Sequence, residues 1–203
     1  IRTTDGGDNW ETVLSGGGAS SFFNVVHFFD DSTGFVQGDA LNGEYELYTT
    51  TDGGDNWTAV DGANIPDPES SDEFGITGHY DAIGDHIWYT TNNGYIYRST
   101  DKGNTWAKHQ ITEGSTYIKV AFANDQQTGI VSVSYLTGSS VTSYGYFSTS
   151  DGGQTWTEIT PAGNFYDDGV SYVPGTAQTF VSVGAAASES KMGFSISTDG
   201  GQT

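Results

Sequence analysis

The chain has 203 residues, 26 of them acidic and 6 basic, and its formal net charge at pH 7 is −20. This charge repels phosphate backbones and anionic membranes, so nucleic acid is a poor partner. Cysteine is absent, which excludes disulfides and thiolate metal sites, and no apolar run reaches the ~18 residues that span a bilayer, so membrane insertion is not expected.

Aromatic residues make up 14% of the chain, and 29 residues are glycine. The aromatic side chains provide enough apolar surface for a core, and the glycines suit tight turns between short strands. Helical periodicity is not evident, whereas apolar and polar residues alternate in short runs. The composition therefore predicts an all-β protein.

In chain order, residues 1–14 have the pattern of the end of one β unit, and four further units follow. The first of these shows the clearest pattern: the runs NVVHFFD, FVQGDA, YELYTT and NWTAV are separated by turn residues. Each later unit contains similar alternating runs, which predict antiparallel strands. The predicted units are residues 21–62, 74–112, 116–161 and 168–203, within one repeat segment that covers residues 1–203.

An eight-residue motif, [ST]xDxGx[TN]W, punctuates these units. It occurs at residues 3–10, 50–57, 99–106 and 149–156, and a fifth copy without its tryptophan occupies residues 197–203. The copies recur at intervals of 47 to 50 residues. Four antiparallel strands repeated at this interval are typical of a β-propeller.

We interpret the motif as turn chemistry rather than as a catalytic site. Its aspartate can accept backbone N–H groups of its own turn, and its glycine can take a positive φ without steric cost. The tryptophan is expected to bury its ring beneath the hairpin. These structural residues are Asp5, Trp10, Asp52, Trp57, Asp101, Trp106, Asp151, Trp156 and Asp199.

The motif resembles the Asp-box, or BNR, repeat of sialidase-like and sortilin-like β-propellers. More narrowly, the stretches VVHFFDDSTGFVQGD and IWYTTNNGYIYRSTDKGNTW are similar to secreted multi-repeat Asp-box proteins of Bacteroidetes-type bacteria. The resemblance implies four-stranded blades with Asp-box hairpins, of which about four are visible here as part of a larger propeller. It also implies that ligands bind on the face opposite the boxes.

That opposite face is built from the loops between second and third strands and from the links between units. The link 61–77 stands out because it is long and acidic, and long loops in compact domains are often functional. The candidate ligand-binding residues on this face are Asp39, Asn42, Glu44, Asp67, Glu69, Asp72, Trp88, Tyr166 and Asp168. Trp88 has two readings, as a core residue or as a platform for a sugar ring.

Three interpretations of the acidic link remain open. It can be a solvated loop, a weak calcium site built from oxygen ligands, or part of a carboxylate pair for glycoside hydrolysis that uses residues such as Asp39, Asp67 and Asp168. No spacing of ligands matches a known calcium loop, so no metal residue is assigned, and no cofactor fingerprint occurs. Calcium is kept only as a candidate.

Sialidase activity is not expected, because that family binds its substrate through three arginines and this chain has only Arg2 and Arg98. We therefore expect a non-enzymatic recognition or scaffold module that binds a glycan or protein at the loop face. A propeller-type hydrolase and a repeat protein that self-associates through open blade edges are the alternatives. The resemblance implies an extracellular or cell-surface location, although this stretch contains no signal sequence.

Overall fold

A computed structural model describes residues 1–185 and 192–202 of the chain. Within these residues the chain forms β1 (Phe23–Phe28), β2 (Gly34–Leu41), β3 (Glu44–Thr50), β4 (Thr58–Ala59), β5 (Gly75–Ile83), β6 (His86–Thr91), β7 (Tyr95–Ser99), β8 (Ala107–Gln110), β9 (Thr116–Phe122), β10 (Gly129–Thr137), β11 (Ser140–Thr149), β12 (Thr157–Glu158), β13 (Gly169–Tyr172), β14 (Phe180–Ala185) and β15 (Met192–Ser197). One short 3₁₀ turn covers Gly62–Asn64. No described helix has the length and hydropathy of a membrane span.

The strands form four antiparallel meanders, each following chain order. Sheet 1 contains β1–β4, sheet 2 contains β5–β8, sheet 3 contains β9–β12, and the described part of sheet 4 contains β13–β15. The first strands of successive sheets contact one another. The predicted fold class is therefore confirmed: the chain is an all-β, partial β-propeller of about four blades.

The repeated motif forms a turn, called here the acidic turn, whose aspartate accepts several hydrogen bonds. In the third copy, the N–H of Thr105 donates to Oδ1 of Asp101 (2.9 Å), and the Thr105 hydroxyl donates to Oδ2 (2.6 Å). The Ser99 hydroxyl donates to the same carboxylate and accepts the N–H of Gly103, at 2.8 Å in both bonds. Gly103 has a φ of 87°, in the left-handed region expected for this glycine.

The acidic turns of sheets 1–4 are also tied to the turn between the first and second strands of the same sheet. The residue after the aspartate donates its N–H to a carbonyl of that turn. These bonds join Gly53 to Ser32 (2.8 Å), Lys102 to Asp85 (2.9 Å), Gly152 to Gln127 (2.9 Å) and Gly200 to Gln178 (3.0 Å). The acidic turns and the turns between first and second strands therefore lie on one side of the molecule. The loops between second and third strands lie on the other side.

Aromatic side chains pack between successive sheets. Trp88 of sheet 2 stacks on Phe122 of sheet 3 with ring centroids 3.8 Å apart, and its indole N–H donates to the carbonyl of Gly152 (2.8 Å). Between sheets 1 and 2, Tyr45 meets Tyr97 edge-on at 5.1 Å. The cores of the partial propeller thus lie between the sheets, where apolar burial is the main stabilising term.

One detail of the acidic turns differs from the prediction. Trp10 is 58% exposed, because the hairpin of the first copy is joined only by the isolated Arg2–Glu11 bridge and no further strand pairing covers its ring. In the acidic turn of sheet 2, the Lys102 ammonium pairs with Asp30 of sheet 1 at 2.9 Å. This ion pair connects turns of neighbouring sheets.

The outward surface of sheet 4, called here the open face, leaves apolar side chains exposed. It carries Val183, Met192, Phe194 and Ile196, exposed by 49%, 85%, 72% and 60%. On the second strands of sheets 1, 2 and 3, the residues that lie at the same distance from the acidic turn as Val183 are Gln37, Thr90 and Ser132. Their side chains are exposed by only 0%, 0% and 2%. In sheets 1–3 that row is covered by the next sheet.

Removing one acidic-turn carboxylate is expected to destabilise the fold. In Asp101→Ala the N–H of Thr105 and two hydroxyls lose their acceptor, and the free energy of unfolding should fall by about 1–3 kcal/mol. Denaturant unfolding measures the loss. Asp31→Ala, which changes an exposed aspartate of a neighbouring turn, serves as the control. An equal effect in both variants would contradict a structural role for Asp101.

The acidic turns also predict a pH dependence of stability. The Asn56 N–H, followed by its side-chain amide, lowers the pKa of Asp52 to about 2, below the usual value of about 3.9. A lowered folded-state pKa adds stability above about pH 4, and this contribution is lost as the pH falls towards 2. Wild type should be more stable than Asp52→Asn at pH 5, and the difference should shrink as the pH falls through 2. A difference that does not change with pH would contradict this assignment.

Candidate ligand-binding face

Three neighbouring sheets each place an exposed aromatic side chain at the start of the first strand. Phe22 precedes β1, Phe74 precedes β5, and Tyr117 is the second residue of β9, with exposures of 57%, 41% and 43%. Together with Asn24, Asp39 and residues 75–77 they line a shallow depression of about 410 Å³. This aromatic depression lies at the strand ends opposite the acidic turns.

The depression forms where strand pairing is interrupted. The register shifts at Asn24 in the β1–β2 pairing, around Asp39 in the β2–β3 pairing, and across residues 76–79 in the β5–β6 pairing. Such irregularities re-aim side chains and are common beside binding sites. Three local breaks in the ladders therefore turn Asn24, Asp39 and Thr77 into the lining of one surface.

Asp39 is held at the depression by a short hydrogen-bond network across sheets 1 and 2. The Asn24 amide donates to Oδ1 of Asp39 (2.6 Å), and the Thr77 hydroxyl donates to Oδ1 of Asn24 (2.9 Å). The Asp39 N–H donates to the carbonyl of Phe22 (2.8 Å). Burial raises the pKa of Asp39, while bonds from Asn24 and the Gly75 N–H oppose the rise.

His79 packs against the ring of Tyr117 and is itself uncharged. Its Nδ1 donates to the carbonyl of Ile118 at 2.9 Å, and its ring meets Tyr117 edge-on at 6.3 Å. Burial, followed by the positive charge of Lys119, lowers the pKa of His79 to about 4. The imidazole is therefore neutral at pH 7.

The acidic link 61–77 is anchored to sheet 2. Glu73 is only 2% exposed, and its Oε2 accepts the N–H of Glu69 (2.6 Å), whose own carboxylate pairs with Lys108 (2.6 Å). The N–H of Phe74 donates to the Asn92 side chain (2.8 Å). These contacts fix the backbone position of Phe74. The link is therefore anchored at Glu69, Glu73 and Phe74, although a solvated loop is one of the three interpretations that its sequence allows.

The other candidate ligand residues are spread over the loop face. Asn42 and Glu44 lie exposed at the β2–β3 loop, Asp67, Glu69 and Asp72 are exposed in the link, and Tyr166 and Asp168 precede β13. Among the described residues, Asp39 is the one predicted ligand residue that lines the aromatic depression. Residues 1–185 and 192–202 contain no group of three or more His, Asp or Glu side chains that could hold a metal ion.

The interpretation of Trp88 as a platform for a sugar ring is wrong. Its side chain is 0% exposed, since it fills the core between sheets 2 and 3 and bonds to the acidic turn of sheet 3. A ring enclosed in this way cannot stack on a ligand. Trp88 is a structural residue.

The aromatic residues of the depression were missed as ligand candidates. Phe22, Phe74 and Tyr117 are not among the ligand-binding residues that the sequence predicts. One signal could have identified them: each lies at the start of the first strand in three consecutive repeats. Their exposure, however, follows from the register shifts and is not visible in the repeat pattern.

Comparison with known proteins places the fold in a family. The model of the DUF6242 β-propeller domain matches residues 9–203. The chain belongs to the DUF6242 β-propeller family. No curated protein matches this member of the family. Its resemblance to sialidase-like and sortilin-like Asp-box proteins, and the narrower one to secreted Bacteroidetes-type proteins, stay predictions.

Solved structures share the fold of this DUF6242 domain. YCF48 bound to D1 peptide aligns with a TM-score of 0.51 and 17% identity, over 89% of this chain and 51% of that chain. A GH74 xyloglucanase from Xanthomonas campestris aligns with a TM-score of 0.53 and 16% identity, over 83% of this chain and 27% of that chain. The DUF6242 chain thus spans about half of the first structure and about a quarter of the second.

Proposed function

We propose that the chain is a non-enzymatic recognition module that binds a glycan or protein ligand at the aromatic depression, outside the cell or at its surface. The observation that carries the proposal is the group of three exposed aromatic side chains, one from each of three successive sheets, beside the half-buried Asp39. Exposed rings on a rigid scaffold are typical anchors of recognition sites. YCF48, a structure with the same fold, is described in complex with a peptide.

A hydrolytic function has less support at this site. Glycoside hydrolysis usually needs two carboxyl groups that flank the scissile bond. Asp39 is the only carboxylate among the described residues that line the depression. The similarity to the xyloglucanase supports the propeller architecture of this chain and carries no argument for hydrolysis at this depression.

The proposal is tested by substitution of the aromatic residues. Ligands are first selected on glycan and peptide arrays, and Phe74→Ala and Tyr117→Ala are then compared with wild type by calorimetry. Because each ring exposes a large apolar area, each substitution should weaken binding by about tenfold or more. Phe194→Ala, at an exposed phenylalanine of the open face, should bind as wild type does. A ligand unaffected by both depression variants would refute binding at this site.

The second candidate function is self-association, in which the open face of sheet 4 packs on the outward face of sheet 1 in a second copy. The open face continues the inter-sheet interface of sheets 1–3, since the row that contains Val183 is buried there. The outward face of sheet 1 exposes Val26 by 59% and Phe28 by 41%, which offers an apolar counterpart. Head-to-tail contacts of this kind extend a repeat array.

Sedimentation velocity across a concentration series tests self-association. Wild type should associate, and more strongly at high salt, because each copy carries a charge of −20 that salt screens. Phe194→Asp should remain monomeric, whereas Val141→Asp, at an exposed valine on β11, should behave as wild type. A wild-type monomer at every concentration would exclude this candidate.

A further inference from the structure

We propose that the aromatic depression receives the ammonium group of a lysine side chain on a protein partner. This inference rests on the proposed function and specifies the chemistry of its ligand. Its basis is the combination of three exposed aromatic rings with one carboxylate, Asp39, in a single concave surface. Aromatic faces and a carboxylate together attract a cation, through the ring quadrupole and through direct charge.

The polar groups of the depression already bond to one another. The Asn24 amide bonds to Asp39, and the Thr77 hydroxyl bonds to Asn24, at 2.6 and 2.9 Å. A sugar needs several donors and acceptors for its hydroxyl groups, and here the Asn24 amide and the Thr77 hydroxyl already bond within the protein. A cation needs only negative charge and aromatic faces, which the depression retains.

The surrounding charges favour a cation as well. The net charge of −20 attracts positively charged ligands over long distances. The neighbouring His79 is neutral at pH 7, because burial, followed by the charge of Lys119, lowers its pKa to about 4. Lys119 itself is not part of the lining, and its positive charge acts on His79 and on the carboxyl group of Asp167.

The backbone of Phe22 and Phe74 and the ring of Tyr117 are held in place before a ligand arrives. Phe22 is tied through its carbonyl to the Asp39 N–H, Phe74 through its N–H to the Asn92 side chain, and Tyr117 lies against the His79 ring. Binding to a preformed set of rings loses little conformational entropy. A small cation therefore suffices as a probe.

The experiment compares probes of different charge by NMR titration of the whole chain. The probes are a terminally blocked Gly-Lys-Gly peptide, the same peptide with the lysine ε-acetylated, tetramethylammonium, and the neutral sugar cellotetraose. We expect Gly-Lys-Gly and tetramethylammonium to shift the amide signals of Gly75, Thr77 and Tyr117. The acetylated peptide and cellotetraose should leave these signals unchanged, because they lack the positive charge.

Matched variants separate cation binding from simple apolar contact. Phe74→Leu keeps an apolar side chain but removes the ring, and it should weaken Gly-Lys-Gly binding by about fivefold or more. Asp39→Asn should weaken it by about tenfold or more. Phe194→Leu, at the open face, is the control for loss of an exposed ring and should not change the titration.

The outcomes distinguish this inference from the proposed function. If cellotetraose shifts the three signals and Gly-Lys-Gly does not, the lysine inference is wrong and recognition at the depression stands. If no probe shifts them, or if Phe74→Leu binds Gly-Lys-Gly as tightly as wild type, the lysine inference is also overturned. The proposed function fails separately, when ligands selected on arrays bind equally well to Phe74→Ala and Tyr117→Ala.

Discussion

The fold depends on the carboxylate of the acidic turn. In a chain with few basic residues, most aspartates would be expected to repel one another at the surface. In the acidic turns the negative charge is instead held by N–H and hydroxyl donors of the same turn, which Thr105 and Ser99 supply to Asp101. The residue after the aspartate then donates its N–H to the turn between the first and second strands of the same sheet. One charged group thus organises one end of each blade.

The sheets are joined by contacts that no single repeat contains. Trp88 crosses from sheet 2 to the acidic turn of sheet 3, and Lys102 crosses from sheet 2 to Asp30 of sheet 1. Each blade therefore depends on its neighbour, as in other repeat proteins, where stability is a sum of unit and interface terms. The open face of sheet 4 is the same kind of surface, and no other sheet of the described residues covers it.

The aromatic depression follows from this division between a tightly bonded end and a less regular end. The acidic turns stabilise one end of the blades and leave the other end free to depart from regular pairing. Register shifts occur there at Asn24, around Asp39 and across residues 76–79, and they bring side chains of different sheets together. The scaffold is therefore repetitive, while the candidate site is formed by the places where the repeat is broken.

The sequence by itself determined the strand repeat, the turn chemistry and the all-β propeller class. These features are local or periodic: the acidic turn bonds within about six residues, and strand alternation is visible in each run. The sequence also placed Asp39 on the correct end of the blade. It could not assign the core position of Trp88, because that position depends on Phe122 and Gly152 of the next repeat.

Only the tertiary structure decided which residues form the candidate site. Phe22, Phe74 and Tyr117 are far apart in sequence, and they meet because the first strands of three sheets lie side by side. Register shifts then determine which of their side chains remain exposed. Such shifts arise from competition between ladder pairing, loop anchoring and packing across sheets, and this balance of non-local energies has no signature in a single repeat.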